Sequence, residues 1–385
     1  MTGPVRRHAL AVLAACTLLC LPAMAQETVK VGLLLTYSGP SELAGQHADD
    51  TIKVFQQRFG SSAGDKKIDF VKRDTTGPNP EVAKRLVQEL IVREKVQIMI
   101  GPDFTPNVLA SAPLITEAKL PTIIAGAATS GIIGEKSPYL MRTFFAIPQV
   151  VAPMAQYAYK TGVRKLLVLV ADYAPGHDAE ALMTRSFQAQ GGSIAGTLRI
   201  PLRSPEFSSH MQRIKDAAPD AVFVFLPVGE LTVQFLKAYS DSGLKAGSIR
   251  LLGTGDLTDE LLLDVAGDTA LGVVTAGYYS TAHDSPMNRQ LVADLAPYKH
   301  SPSVPIWDAL RLVYDGVADQ KGVPFNGEKF MALAKGRRFE SPRGPIAISA
   351  SNGDIVQNTY IRRVERRDGK LVNVEIETIA DPALR

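Results

Sequence analysis

Apolar residues along this chain fall in short runs separated by stretches of helical spacing, and the alternation occurs twice. Residues 29–35 (Val-Lys-Val-Gly-Leu-Leu-Leu) read as a largely apolar strand. Helical sequence follows over about 44–59, then a strand near 68–72, a helix over 79–94 and the strand 96–100. A helix after Pro106 and a strand at 121–125 complete the first series. The second series runs through strand 165–170, helix 179–190, strand 196–200, helix 207–217, strand 221–226, helix 230–242 and strand 249–252. Short strands apolar on both faces, alternating with amphipathic helices, predict parallel sheets covered on both sides. The predicted class is α/β, with two doubly wound βα lobes.

The first 25 residues have a different pattern. Arg6 and Arg7 precede an apolar run over 9–21, which ends at Pro22 and the triplet Ala23-Met24-Ala25. That order predicts a secretory signal cleaved after Ala25. The run is too short to span a bilayer, which takes about 20 residues. Both cysteines, Cys16 and Cys20, lie inside the signal, so the exported chain is expected to have no disulfide and no thiol chemistry. Leu13-Ala14-Ala15-Cys16 resembles a lipoprotein cleavage site, but apolar sequence continues past Cys16, which favours free export to the periplasm over a lipid anchor. Loss of Arg6 and Arg7 lowers the formal charge from +3 to +1. A near-neutral chain gives no electrostatic reason to expect nucleic-acid or membrane-surface binding. About 360 residues remain, too many for one core and enough for two lobes.

Ligands of open α/β sheets sit beyond the carboxyl ends of the strands, near helix N-termini. Three strand ends here run into loops of small and hydroxyl residues: 36–40 (Thr-Tyr-Ser-Gly-Pro), 101–106 (Gly-Pro-Asp-Phe-Thr-Pro) and 126–130 (Gly-Ala-Ala-Thr-Ser). Such loops let a ligand approach the backbone and supply neutral hydrogen bonds, which suits holding an anion without transforming it.

With V-K-V-G-L-L-L-T-Y-S-G-P at 29–40, I-G-P-D-F-T-P at 100–106 and G-A-A-T-S at 126–130, the chain resembles the leucine/isoleucine/valine-binding family. These are periplasmic solute-binding proteins of ABC importers with the type I two-lobed fold. The likeness continues through 139–143 (Tyr-Leu-Met-Arg-Thr), 253–256 (Gly-Thr-Gly-Asp) and 272–279 (Gly-Val-Val-Thr-Ala-Gly-Tyr-Tyr). It implies a three-crossover hinge, with lobe one built from residues 27–146 plus 277–344 and lobe two from 147–276 plus 345–385. The helix at 306–319 would return to lobe one, and terminal strands with turns at Asn352-Gly353 and Asp368-Gly369 would close lobe two. It also implies a monomer without cofactor that closes on a small carboxylate or amino acid and presents it to a membrane permease. A sensor of the same fold, acting in signalling, is the alternative.

The resemblance also implies site residues. The α-carboxylate grip of the amino-acid binders falls on Thr105, Ala127 and Thr129; the two threonines also suit helix N-caps. The acids that hold an α-ammonium would fall on Ile147 and Gly255, and the accompanying tyrosines on Ala44 and Val228. Asp256, one position away, is the candidate acid, with Asp103 and Asp172 behind it. If Asp256 faces the cleft, an amino acid remains possible; otherwise an aromatic or other hydrophobic acid fits better, with Phe104, Tyr173 and Trp307 as candidate walls. The aromatic acid is the expectation carried forward.

The sequence carries no visible support for catalysis. The six histidines are scattered and read as surface or capping residues; there is no H-E-x-x-H, G-x-S-x-G or phosphate-binding glycine loop. Ser242-Gly-Leu-Lys245 fits S-x-x-K in form but has no companion motif. The basic run 362–367 (Arg-Arg-Val-Glu-Arg-Arg) reads as a solvated sheet face.

Overall fold

The computed structural model describes residues 26–203 and 205–384. The expected export signal and both cysteines lie outside them.

The first sheet is built from β1 (Thr28–Leu35), β2 (Ser62–Ala63), β3 (Lys66–Asp74), β4 (Ile98–Ile100), β5 (Thr122–Ile124) and β6 (Leu140–Arg142), in the order β2-β3-β1-β4-β5-β6. All neighbours are parallel except the short β2–β3 pair. The strands are connected through α1 (Glu42–Phe59), α2 (Pro80–Glu89) and α3 (Thr105–Glu117). Side chains alternate along a strand, so β1 feeds two cores. Leu33 and Leu35 pack on one face, and Leu34 joins Leu86, Val108 and Ile124 on the other. Local chemistry fixes the start of α2: Asn79 accepts a hydrogen bond from the Val82 N–H, and Pro80 occupies the first turn.

After β6 the chain enters a second lobe through α4 (Ile147–Lys160). It continues as β7 (Lys165–Ala171), α5 (Ala174–Ala189), β8 (Ser193–Ile200), α6 (Ser208–Ala217), β9 (Ala221–Phe225), α7 (Glu230–Asp241), β10 (Arg250–Thr254), the short α8 (Leu263–Ala266) and β11 (Val274–Gly277). On β7, Leu167 and Leu169 face one core while Leu166, Val168 and Val170 face the other. The chain then returns to the first lobe for α9 (Pro286–Leu295), α10 (Val304–Ala318), α11 (Gly327–Ala334) and a small antiparallel sheet of β12 (Arg338–Ser341), β13 (Gly344–Ile348) and β14 (Ile355–Gln357). It ends as β15 (Thr359–Arg367) and β16 (Lys370–Ile379), which extend the second sheet to β16-β15-β11-β10-β9-β7-β8.

The third crossing therefore comes later than the expected 344/345 boundary. Ile346, Ile348 and Ile355 bury their side chains in the first lobe's core, so residues 345–357 belong there, and the chain crosses at Asn358, between β14 and β15. The Asn352-Gly353 turn accordingly joins strands of the first lobe, whereas Asp368 (φ 49°) and Gly369 (φ 79°) form the tight turn between β15 and β16 in the second. The lobes touch around the cleft. The Ser130 N–H donates to the Asp178 carboxylate (2.8 Å), the Ser41 hydroxyl to the Val228 carbonyl (3.2 Å), and the Ser301 hydroxyl to the Glu260 carbonyl (3.2 Å). The arrangement is closed.

Candidate ligand-binding site

A cavity of about 140 Å³ lies between the lobes, at the carboxyl ends of β1, β4, β5, β7, β9 and β10. An apolar cavity of roughly 150 Å³ accepts a benzene ring, so the space suits one aromatic ring with small substituents.

The first lobe supplies its wall through two loops. Asp103 follows β4, and its carboxylate accepts the Thr36 N–H (2.8 Å) and the Thr75 hydroxyl (3.4 Å), tying together the ends of β1 and β3. Enclosure in the cleft pushes its carboxyl up to about 6. Phe104 is extended, so α3 begins at Thr105, and the N–H groups of its first turn are left for a ligand. Thr105 is buried, and its hydroxyl lies 3.1 Å from that of Thr129. The β5 loop passes close to Asp103: a Cβ on Gly126 would lie 2.7 Å from the Asp103 carbonyl oxygen, which leaves room only for glycine. Behind this loop the buried Arg142 guanidinium donates to the carbonyls of Ala127 and Thr129 (3.0 Å each) and pairs with Asp354 at 2.6 Å.

The second lobe and the crossings supply rings and charges. Tyr173 stacks on Phe225 (centroids 6.2 Å apart), and Phe144 and Tyr278 meet edge to face at 5.4 Å. Arg362 enters from β15 at a bulge between Ile361 and Arg362. Its guanidinium donates to the Tyr279 carbonyl, to the Gly255 carbonyl (3.1 Å) and to the Thr275 hydroxyl (3.2 Å). Gly255 and Gly277 make its berth; a Cβ on Gly277 would lie 2.6 Å from Arg362 Cζ. Asp256, Asp259 and Glu260 surround this cation. Burial raises all three carboxyls, Asp256 well above the usual carboxylate range, and Arg362 only partly offsets it.

The sequence candidates therefore divide. Phe104, Thr105, Tyr173 and Asp256 line the cavity, as does Asp103, so the condition set above for an amino-acid ligand is met. Ala127 and Thr129 do not: Ala127 is buried behind the wall, Ala128 lines the cavity instead, and the Thr129 hydroxyl is turned to Thr105. Trp307 is a correction. It packs edge-on against Phe55 (4.9 Å) and Phe59 (5.8 Å) in the first lobe's core, while its neighbours Pro305 and Ile306 reach the cavity. Asp172 pairs with His177 at 2.7 Å on the exposed side of α5. Ala44 and Val228 do line the cavity, so the positions where the amino-acid binders carry tyrosines leave open space.

Arg362 corrects a second expectation. The basic run is not wholly solvated: Arg362 is 4% exposed and lies in the cleft, because the bulge turns it inward beside the equally buried Ile361. Unpaired glycines at 255 and 277, close to aromatic residues, were its only trace in the sequence. His47 is likewise buried, not superficial, stacked on His300 at 4.2 Å, and burial lowers it to about 4.

Comparison with known proteins now bears on this geometry. Residues 28–370 match a family model described as periplasmic binding protein. The chain belongs to that family. A Leu/Ile/Val-binding protein homolog of Brucella melitensis is 38% identical, over 99% of this chain and all of the relative. A solute-binding protein of an ABC transporter from Rhodopseudomonas palustris BisB5, solved with 3,4-dihydroxybenzoic acid, is 41% identical with a TM-score of 0.88, covering 92% of this chain and 99% of that one. Another from R. palustris, solved with 4-hydroxybenzoate, is 42% identical with the same TM-score, covering 92% and 98%. The fold of this family member is thus the type I periplasmic binding protein fold, and its leucine-binding-domain character is that of its relatives. Among the described residues no helix is long and apolar enough to cross a membrane.

Proposed function

We propose that the protein is the periplasmic solute-binding component of an ABC importer and that its ligand is a small aromatic carboxylate of the hydroxybenzoate type. The observation that carries this reading is the ring-lined cavity between the lobes, with Phe104, Phe144, Tyr173, Phe225 and Tyr278 on its walls and the Thr105 hydroxyl and α3 N-terminus at one side. Rings bury a flat apolar ligand, while a hydroxyl and a helix start favour a carboxylate. Solved relatives at 41% and 42% identity hold dihydroxybenzoate and hydroxybenzoate. A ligand that touches both walls stabilises the closed form by contacts the open form lacks, and a permease then reads closure.

The test is a thermal-shift screen of the exported chain, confirmed by calorimetry, with benzoate, hydroxybenzoates, leucine and valine. A ligand at 100 times its Kd adds about 2.7 kcal/mol of stability. Stabilisation by aromatic acids and not by aliphatic amino acids is expected; the reverse pattern would overturn the ligand assignment. Thr105→Val should weaken every aromatic carboxylate alike.

A further inference from the structure

Four carboxyl side chains line the cavity: Asp103, Asp256, Asp259 and Glu260. Three are already engaged. Asp103 accepts from Thr36 and Thr75, Asp259 from the Leu261 N–H (3.0 Å), and Glu260 from the N–H and hydroxyl of Thr281 and from Asn373 (3.1 Å each). Asp256 differs. It is 5% exposed, faces the cavity, and its carboxyl group receives no hydrogen bond from any described residue. Buried polar groups in native structures are almost always partnered, and leaving one unpartnered is costly. The Asp256 carboxyl group opens onto the cavity, so its partner is supplied by whatever fills that space, water or ligand.

We propose that Asp256 is the specificity-determining residue for a hydroxyl carried on the ring remote from the ligand's carboxylate, the hydroxyl donating its hydrogen bond to the Asp256 carboxyl group. The inference rests on the aromatic-carboxylate reading above and deepens it. The ligand's orientation follows from charge. The second-lobe wall already holds Asp256, Asp259 and Glu260 around one guanidinium, which gives three of its five N–H groups to Tyr279, Gly255 and Thr275 and leaves Nε without a partner. A ligand carboxylate there would be set among three carboxyl groups that already share a single guanidinium, whereas the start of α3 beside Thr105 favours an anion. With the carboxylate at the first lobe, the far edge of the ring faces Asp256. Unsubstituted benzoate puts a C–H there and leaves the carboxyl group without a partner; a hydroxyl satisfies it. Sites built to hydrogen-bond a substrate hydroxyl reject analogues that lack it far more strongly than apolar pockets reject a size change. The selectivity would therefore be written into the second lobe, and the general grip on aromatic acids into the first.

The experiment measures calorimetric affinities of the exported chain for 4-hydroxybenzoate and benzoate, in the parent and in Asp256→Asn and Asp256→Leu. The parent is expected to prefer 4-hydroxybenzoate by roughly tenfold or more. Asp256→Asn should shrink that preference and Asp256→Leu abolish it through a loss of 4-hydroxybenzoate affinity, while benzoate affinity holds or rises because the carboxyl group it strands is gone; a cooperative melting transition reports that both variants are folded. Equal affinity of the parent for the two acids would overturn the proposal. So would an equal loss of both acids in the variants, the result expected if the ligand lay the other way round with its carboxylate over Arg362. Failure of the parent to bind any aromatic acid would instead remove the underlying reading, so the two failures are distinguishable.

Discussion

Arg343 and Asp308 form an ion pair at 2.7 Å with both side chains withdrawn from solvent, and the same arginine touches all three crossings between the lobes. Its guanidinium donates to the Thr143 carbonyl (2.5 Å) at the first crossing and lies 5.1 Å from the Tyr278 ring centre at the second. Its carbonyl accepts the Tyr360 hydroxyl (2.6 Å) at the third. Removing one partner from such a pair strands a buried charge, which typically costs about 3–5 kcal/mol. Asp308→Ala should therefore lower unfolding stability by about that amount in urea titration. A loss below about 1 kcal/mol would mean that the guanidinium finds solvent or another acid.

Closure has its own contacts, separate from the ligand. The Ser130 N–H of the first lobe donates to the Asp178 carboxylate of α5 in the second. Asp178→Ala removes an interaction that exists only when the lobes meet, so it should shift the population toward the open form. The expected result is a roughly threefold to tenfold loss of 4-hydroxybenzoate affinity, with little change in the melting point of the unliganded protein. Small-angle scattering should show a larger radius for the unliganded variant than for the parent; identical radii and affinities would remove this contact from the closing equilibrium.

Gly277 is glycine because Arg362 lies across it. A Cβ there would fall 2.6 Å from Cζ and 2.7 Å from Nη2 of a guanidinium that hydrogen bonds hold in place. Overpacking of this kind costs about 1–3 kcal/mol. Gly277→Ala is expected to lose that much stability in denaturant titration and to weaken ligand binding, since the shifted arginine disturbs the wall around Asp256. Full stability and affinity would show that the guanidinium has slack.

Trp307 distinguishes core from site. Its ring is wedged between Phe55 and Phe59, away from the cavity. Trp307→Phe should keep 4-hydroxybenzoate affinity within about threefold, whereas Trp307→Ala should cost about 3–5 kcal/mol of stability. A large selective loss of affinity in the phenylalanine variant would restore Trp307 to the binding site.

The loops that line the cavity were legible because strand ends and helix starts leave local signatures. The apolar run 96–100 followed by Gly-Pro-Asp-Phe-Thr-Pro marks the loop that carries Phe104 and Thr105, while Thr105 itself and Asp256, one position from the expected acid, came from the family resemblance. Ala127 and Thr129 were displaced by one residue of loop geometry, since Arg142 and Thr105 turn their polar groups away from the cavity. Trp307 was misread because a helix next to a cleft shows one face to the ligand and another to the core. Periodicity does not tell which face a given residue occupies.

Taken alone, the order of residues determined the α/β class, the two βα series and the loops that had to carry function, because these depend on spacing within a few residues. Tertiary structure decided what depends on residues far apart. It kept residues 345–357 in the first lobe through the burial of Ile346, Ile348 and Ile355. A bulge turned Arg362 from a charged strand face into the cleft. It also supplied donors for Asp103, Asp259 and Glu260 while leaving Asp256 without one. Burial and hydrogen-bond completion are sums over neighbours that the chain brings together only on folding, and no local pattern records them.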